Sequence, residues 1–123
     1  MSLDRQAPPP GSYRVEGIRG GAFVIAGEER HGAVLLWPAG VLDSPPSIEA
    51  ASFDPLLALN PPLDIILIGT GKALKWPDAA LLETLRARGV GVDVMASQLA
   101  ARTYNVLIGE DRQVGALLLP LEA

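Results

Sequence analysis

Gly69-Thr70-Gly71 is the place in this 123-residue chain where residue type and spacing point most directly to a ligand. Glycines at the exit of a central strand let backbone N–H groups approach an anion closely. Open α/β sheets bind ligands at that end of their strands. Two nucleotide fingerprints are testable there, and both fail. The pattern G-x-G-x-x-G needs glycine at position 74, where Leu74 stands. The P-loop needs Gly-Lys-Ser/Thr, but Gly71-Lys72 is followed by Ala73, and the spacing from Gly69 is too short. Two readings stay open: a small-anion or partner site, or a tight strand exit.

Other polar residues lie within reach of that turn. Asp93 alternates with the valines of Val90-Gly-Val-Asp-Val-Met95. A carboxylate there needs a partner if both sheet faces are covered, and Lys72, Arg102 or Thr103 would supply one; near an exposed strand end it needs none. Arg102, Thr103, Tyr104 and Asn105 interrupt an aliphatic helix, and Arg102 and Asn105 share one helix side. They either line a pocket beside the glycine turn or brace neighbouring loops. Lys72, Lys75 and Trp76 form a basic–aromatic loop, either a contact surface or a plug for the core. Gly69, Thr70, Gly71, Lys72, Asp93, Arg102, Tyr104 and Asn105 are the candidate binding residues.

The chemistry this chain lacks is equally informative. It has no cysteine and one histidine. Thiol catalysis, disulfides and thiolate or iron–sulfur ligation are excluded, and a zinc site is improbable. Any Ser-His-Asp arrangement would have to use His31, which lies in a charged turn, and no G-x-S-x-G elbow exists. No catalytic residue, metal ligand or cofactor is assigned.

The elements that would position these groups read as α/β. Tyr13–Ile18, Ala22–Ala26 and Ala33–Trp37 read as strands of an antiparallel meander, joined by a Gly20-Gly21 turn and a polar turn at 27–32. Ser47–Ser52 reads as a weak strand, and Asp54-Pro55 as the capped start of a short helix that ends before Pro61-Pro62. Asp64–Gly69 carries four consecutive branched aliphatics, the mark of a strand covered on both faces. A helix over 78–88 with a Gly89 cap, a strand over 90–95, a helix from a capping Ser97 to about Ile108, and a strand over 114–119 complete the chain. That alternation implies a central, largely parallel sheet with helices packed on it and an added N-terminal antiparallel layer. Residues 13–123 are expected to form one domain, after a flexible tail over 1–12.

Composition sets the class of partner. The chain is 49% hydrophobic but only 5% aromatic, so its core is aliphatic. A net charge of −4 argues against nucleic acid, which requires a basic footprint. No apolar run approaches the roughly 20 residues of a membrane-spanning helix, and the start lacks a signal-peptide core. A soluble cytoplasmic protein is expected, and composition leaves both a protein partner and self-association open.

The ordered set Asp64-Ile-Ile-Leu-Ile-Gly-Thr-Gly71, Gly89-Val-Gly-Val-Asp-Val-Met95, Ala101-Arg-Thr-Tyr-Asn105 and Arg112-Gln-Val-Gly-Ala-Leu-Leu-Leu-Pro120 resembles the family of mitochondrial complex I assembly factor 3 and its bacterial and archaeal relatives of unknown function. Asp111-Arg112 stands where that family has Gly-Arg. The resemblance covers nearly everything after Tyr13. It implies a three-layer α/β fold with a mixed sheet and no established enzymatic activity. It also makes the motif-matching positions Gly69, Thr70, Gly71, Arg102, Tyr104 and Asn105 candidates for a shared surface. The reading is a binding or assembly protein rather than an enzyme, the alternative being a small-anion or metabolite binder that uses the glycine turn.

Overall fold

The computed structural model describes residues 12–121. The segment read as a flexible tail lies outside them, apart from Ser12. Among the described residues eight strands run in chain order as β1 (Gly17–Arg19), β2 (Ala22–Ile25), β3 (Glu28–Arg30), β4 (Ala33–Trp37), β5 (Gly40–Ser44), β6 (Ile65–Gly69), β7 (Gly91–Met95) and β8 (Val114–Leu118). The helices α1 (Asp54–Leu57), α2 (Ala79–Ala87) and α3 (Ser97–Gly109) lie between them.

The strands form two sheets. One is antiparallel with order β1-β2-β3; the other has order β5-β4-β8-β6-β7. In the second sheet β6 is parallel to both β7 and β8, whereas β4 pairs antiparallel with β8 and β5. The mixed sheet, the packed helices and the N-terminal antiparallel layer agree with expectation.

The aliphatic run of β6 accounts for the layering. Its side chains alternate between two cores, with Leu67 in one and Ile66 and Ile68 in the other. The first core gathers Phe23 and Ile25 of β2, Val34 and Leu36 of β4, and Ala100, Ala101, Tyr104 and Ile108 of α3. The second gathers Phe53, Leu56 and the Leu81, Leu82 and Leu85 stripe of α2. Both faces of β6 are therefore dry, and Ile66, Leu67 and Ile68 have no exposed surface. Burying each such side chain contributes about 1.5–3 kcal/mol.

Four local expectations are corrected. The polar turn at 27–32 contains β3, whose Glu28 and Glu29 are exposed; a strand open to solvent on both faces carries no apolar signal. β4 belongs to the central sheet rather than to the N-terminal meander. It buries four consecutive residues and bridges β5 and β8, and Gly40–Ser44 is a strand on its far side. Residues read as a strand at 47–52 enter a 3-10 turn at Ala50–Phe53, consistent with the alanines there. That turn delivers Phe53 to α1 already in helical conformation, so Asp54 sits inside the first turn and makes no capping bond.

Candidate functional site

The glycine turn ties three elements together. Gly69 ends β6, the middle member of the three mutually parallel strands. Its carbonyl accepts from Leu119 N at 2.9 Å, just past β8. Thr70 N donates to Met95 O at the end of β7 at 2.9 Å. Gly71 O accepts from Ser97 N at 2.8 Å, at the start of α3. Gly71 takes φ +95°, where a side chain is strained, and Gly69 is packed so closely that an added Cβ would stand 2.8 Å from Ser97 Oγ and 2.9 Å from Ser97 Cα.

Ser97 closes this knot, and sequence reasoning gave it a different job. It was expected to cap α3, but Ala96 is the capping residue and Ser97 is the first residue of the helix. Its hydroxyl is fully buried, accepting from Gly71 N at 2.7 Å and donating to Leu119 O at 2.6 Å. A serine ahead of a helix carries a strong capping signal, and nothing local distinguishes a cap from this tertiary anchor. The knot also bears on anion binding: the Thr70 and Gly71 amides, the donors a phosphate cradle would use, are committed to Met95 and Ser97.

Thr70 organises the segment after the turn. Its hydroxyl donates to Ala73 O at 2.7 Å and accepts from Lys75 N at 3.0 Å, folding 70–75 into a compact turn. The side chains from Lys72 to Trp76 are all exposed. Trp76 is 70% exposed, so it does not plug the core. Asp78 ends the loop as the cap of α2, accepting from Ala80 N at 3.2 Å. A half-open depression of about 330 Å³ lies at this end of the sheet, between Lys72, Lys75, Pro46, Pro120 and Leu121, with Thr70 and Gly71 at its base.

Arg102, Tyr104 and Asn105 work elsewhere. Tyr104 is fully buried and its hydroxyl donates to Tyr13 O at 2.8 Å. Burial pushes its phenol well above the usual range, so it stays neutral. The Asn105 carboxamide accepts from Val15 N at 3.0 Å and donates to Val15 O at 2.7 Å. The pair thus clamps the segment 13–15 that leads into β1. Arg102 is exposed, and with Asn105, Gln98, Val15 and Gly17 it borders a separate shallow depression of about 270 Å³. The structure therefore brings Thr70, Gly71 and Lys72 together, and groups Arg102 with Asn105, but the two sets line different hollows.

Asp93 is exposed on the edge strand β7, opposite in pleat to the half-buried Val92 and Val94. His31 is exposed, its Nε2 lying 3.5 Å from Glu29 Oε1. Among the described residues, no group of three or more His, Cys, Asp or Glu side chains is placed to hold a metal ion. No helix among them is long and apolar enough to cross a membrane.

Comparison with known proteins adds relatives across the whole fold. Residues 15–119 match the model of a family described as a protein of unknown function (DUF498/DUF598). A "13 kDa major membrane protein" of Francisella tularensis subsp. holarctica is 34% identical, over 97% of this chain and 99% of the relative. NADH dehydrogenase (ubiquinone) 1 alpha subcomplex assembly factor 3 of Bos taurus is 30% identical over 98% of this chain, and that of Mus musculus 29% over 94%. The chain spans 67% and 64% of those two mammalian proteins. Among solved structures, an outer membrane protein from Bartonella henselae superposes with a TM-score of 0.82 at 29% identity, covering 92% of this chain and 98% of that one. A Mth938-like domain protein of Bordetella pertussis gives 0.79 at 27%, covering 94% and 90%. The likeness to complex I assembly factor 3 suggested by the ordered motifs is thus found.

Proposed function

Since the chain belongs to the DUF498/DUF598 family of proteins of unknown function, we propose that it is a non-enzymatic protein-interaction domain with an assembly-factor role. The observation that carries this reading is how the residues of the glycine turn and of α3 spend their polar groups. Thr70, Ser97, Tyr104 and Asn105, the residues best suited to bind or react, all direct their hydrogen bonds to the chain's own backbone. What they leave facing outward is a shaped loop carrying the exposed side chains of Leu74 and Trp76. A leucine and a tryptophan exposed two positions apart on an ordered loop are suited to a contact surface, tryptophan being enriched among the residues that carry binding energy.

The relatives named as complex I assembly factors support a link to respiratory complex I. In this reading the domain works in the cytoplasm and reaches the membrane through a membrane-bound partner. The test is co-purification from the source cells with tagged wild-type chain. NADH dehydrogenase subunits are expected in the eluate and depleted when Trp76→Ala is the bait. Reproducible absence of any protein partner from the wild-type eluate overturns the reading.

A further inference from the structure

The chain has only two lysines, Lys72 and Lys75, and both stand on the loop after the glycine turn. This is a notable placement in a protein of 14 acidic and 10 basic residues. Elsewhere cations are paired in part: Arg19 meets Glu29 at 3.2 Å, and Arg30 meets Asp43 at 3.0 Å. Among the described residues, no carboxylate lies within ion-pairing distance of either lysine. The depression they border is also lined by the apolar residues Pro46, Pro120 and Leu121. Leu74, 51% exposed, and Trp76, 70% exposed, share the lysines' loop.

Resting on the reading of an interaction domain, we propose that this loop and depression dock an acidic protein segment that also carries aliphatic side chains. Lys72 and Lys75 take its carboxylates, while Trp76, Leu74 and the prolines lining the depression cover its apolar residues. Charge complementarity selects this occupant. A free phosphate or carboxylate would find two solvated ammonium groups but not the Thr70 and Gly71 amides, which are already bonded. A nucleic acid would meet a protein of net charge −4 with only two basic side chains on this loop. An acidic segment with apolar side chains uses both features of the surface at once.

Thr70 is the positioning residue. By holding Ala73 O and Lys75 N it fixes the loop before a partner arrives, which lowers the ordering cost of docking. The lysines set the approach of an acidic partner and give it a salt dependence, and the tryptophan supplies the contact that resists dissociation.

The experiment follows backbone amide resonances of the full chain titrated with a short peptide alternating glutamate and leucine. Its controls are the glutamine–leucine peptide, inorganic phosphate and a DNA duplex. Shifts over residues 71–76 are expected with the glutamate peptide. Affinity should fall about tenfold in the Lys72→Glu, Lys75→Glu double variant and in Trp76→Ala, and fall with added salt. Thermal unfolding of each variant, expected unchanged, shows that the fold survives. No loop shifts at millimolar peptide, equal binding by the double variant, or the same shifts from phosphate or DNA would each overturn the proposal. Capture of NADH dehydrogenase subunits equally by wild type and the double variant would also overturn it while leaving the assembly reading intact. Failure of capture alongside a positive peptide titration would overturn the assembly reading alone.

Discussion

Asn105 behaves toward Val15 as a neighbouring strand would. One carboxamide accepts from the Val15 amide at 3.0 Å and donates to the Val15 carbonyl at 2.7 Å, across 90 positions of sequence. A side chain of α3 thus completes backbone bonding that a strand partner supplies elsewhere. Asn105→Ala strands two backbone groups of a buried residue, at a cost of about 1–3 kcal/mol. Urea unfolding should show that loss, and amide exchange should show Val15 losing protection first.

Ser97→Ala should cost more than an ordinary surface serine. The hydroxyl is fully buried and serves Gly71 N and Leu119 O together. Removing it leaves a donor and an acceptor without partners, so a loss of about 2–4 kcal/mol is expected in urea denaturation. If Ser97 were merely a helix cap, the loss would be about 1 kcal/mol, as for typical caps.

Gly69→Ala and Gly115→Ala make a matched pair. At Gly69 the new methyl meets Ser97 Cα at 2.9 Å, backbone that cannot turn aside. At Gly115 it meets Leu63 Cδ1 at 2.6 Å and Leu56 Cδ2 at 3.2 Å, the movable ends of two side chains. Overpacking at Gly69 should cost about 1–3 kcal/mol, and the change at Gly115 should cost less. Thermal melts of the two variants in one buffer decide the order; a reversed order would show that the leucines lack room to turn.

Tyr104 gives the molecule an alkaline dependence of known sign. An unfolded tyrosine loses its proton near pH 10, whereas burial keeps the folded Tyr104 protonated beyond that. Above about pH 10 the unfolded state therefore binds fewer protons than the folded state, and stability falls as pH rises. Tyr104→Phe should cost about 1 kcal/mol at neutral pH by leaving Tyr13 O without its donor. The gap between wild type and variant should then shrink by about 1.4 kcal/mol per pH unit above pH 10. Urea midpoints from about pH 8 to pH 11 for the two proteins measure that slope.

The elements that were legible in sequence are those whose partners are dictated by their own pattern. The aliphatic run of β6 reads as a covered strand, and the leucine stripe with Gly89 reads as α2. The elements that were missed depend on their neighbours. β3 shows two glutamates to solvent, and β5 is recognised only through its pairing with β4. The site divides the same way. Thr70 and Gly71 were visible as a glycine turn, but that their amides are already bonded depends on Met95 O for Thr70 and on Ser97, 26 positions away, for Gly71. Tyr104 and Asn105 were visible as costly polar residues in an aliphatic helix. Their target, the backbone of 13–15, carries no side-chain signature and so left no trace in the pattern.

The knot of Gly69, Gly71, Ser97 and Leu119 has an evolutionary consequence. It completes the joining of β6, β8 and α3 before Lys72 begins, and Asp78 restarts regular structure with its own cap. The intervening stretch is insulated at both ends, so substitutions there leave the core undisturbed. A scaffold built this way can be retargeted by drift in six residues, Lys72 to Pro77, while its architecture persists. Members of one lineage can thus share a shape while differing in this loop.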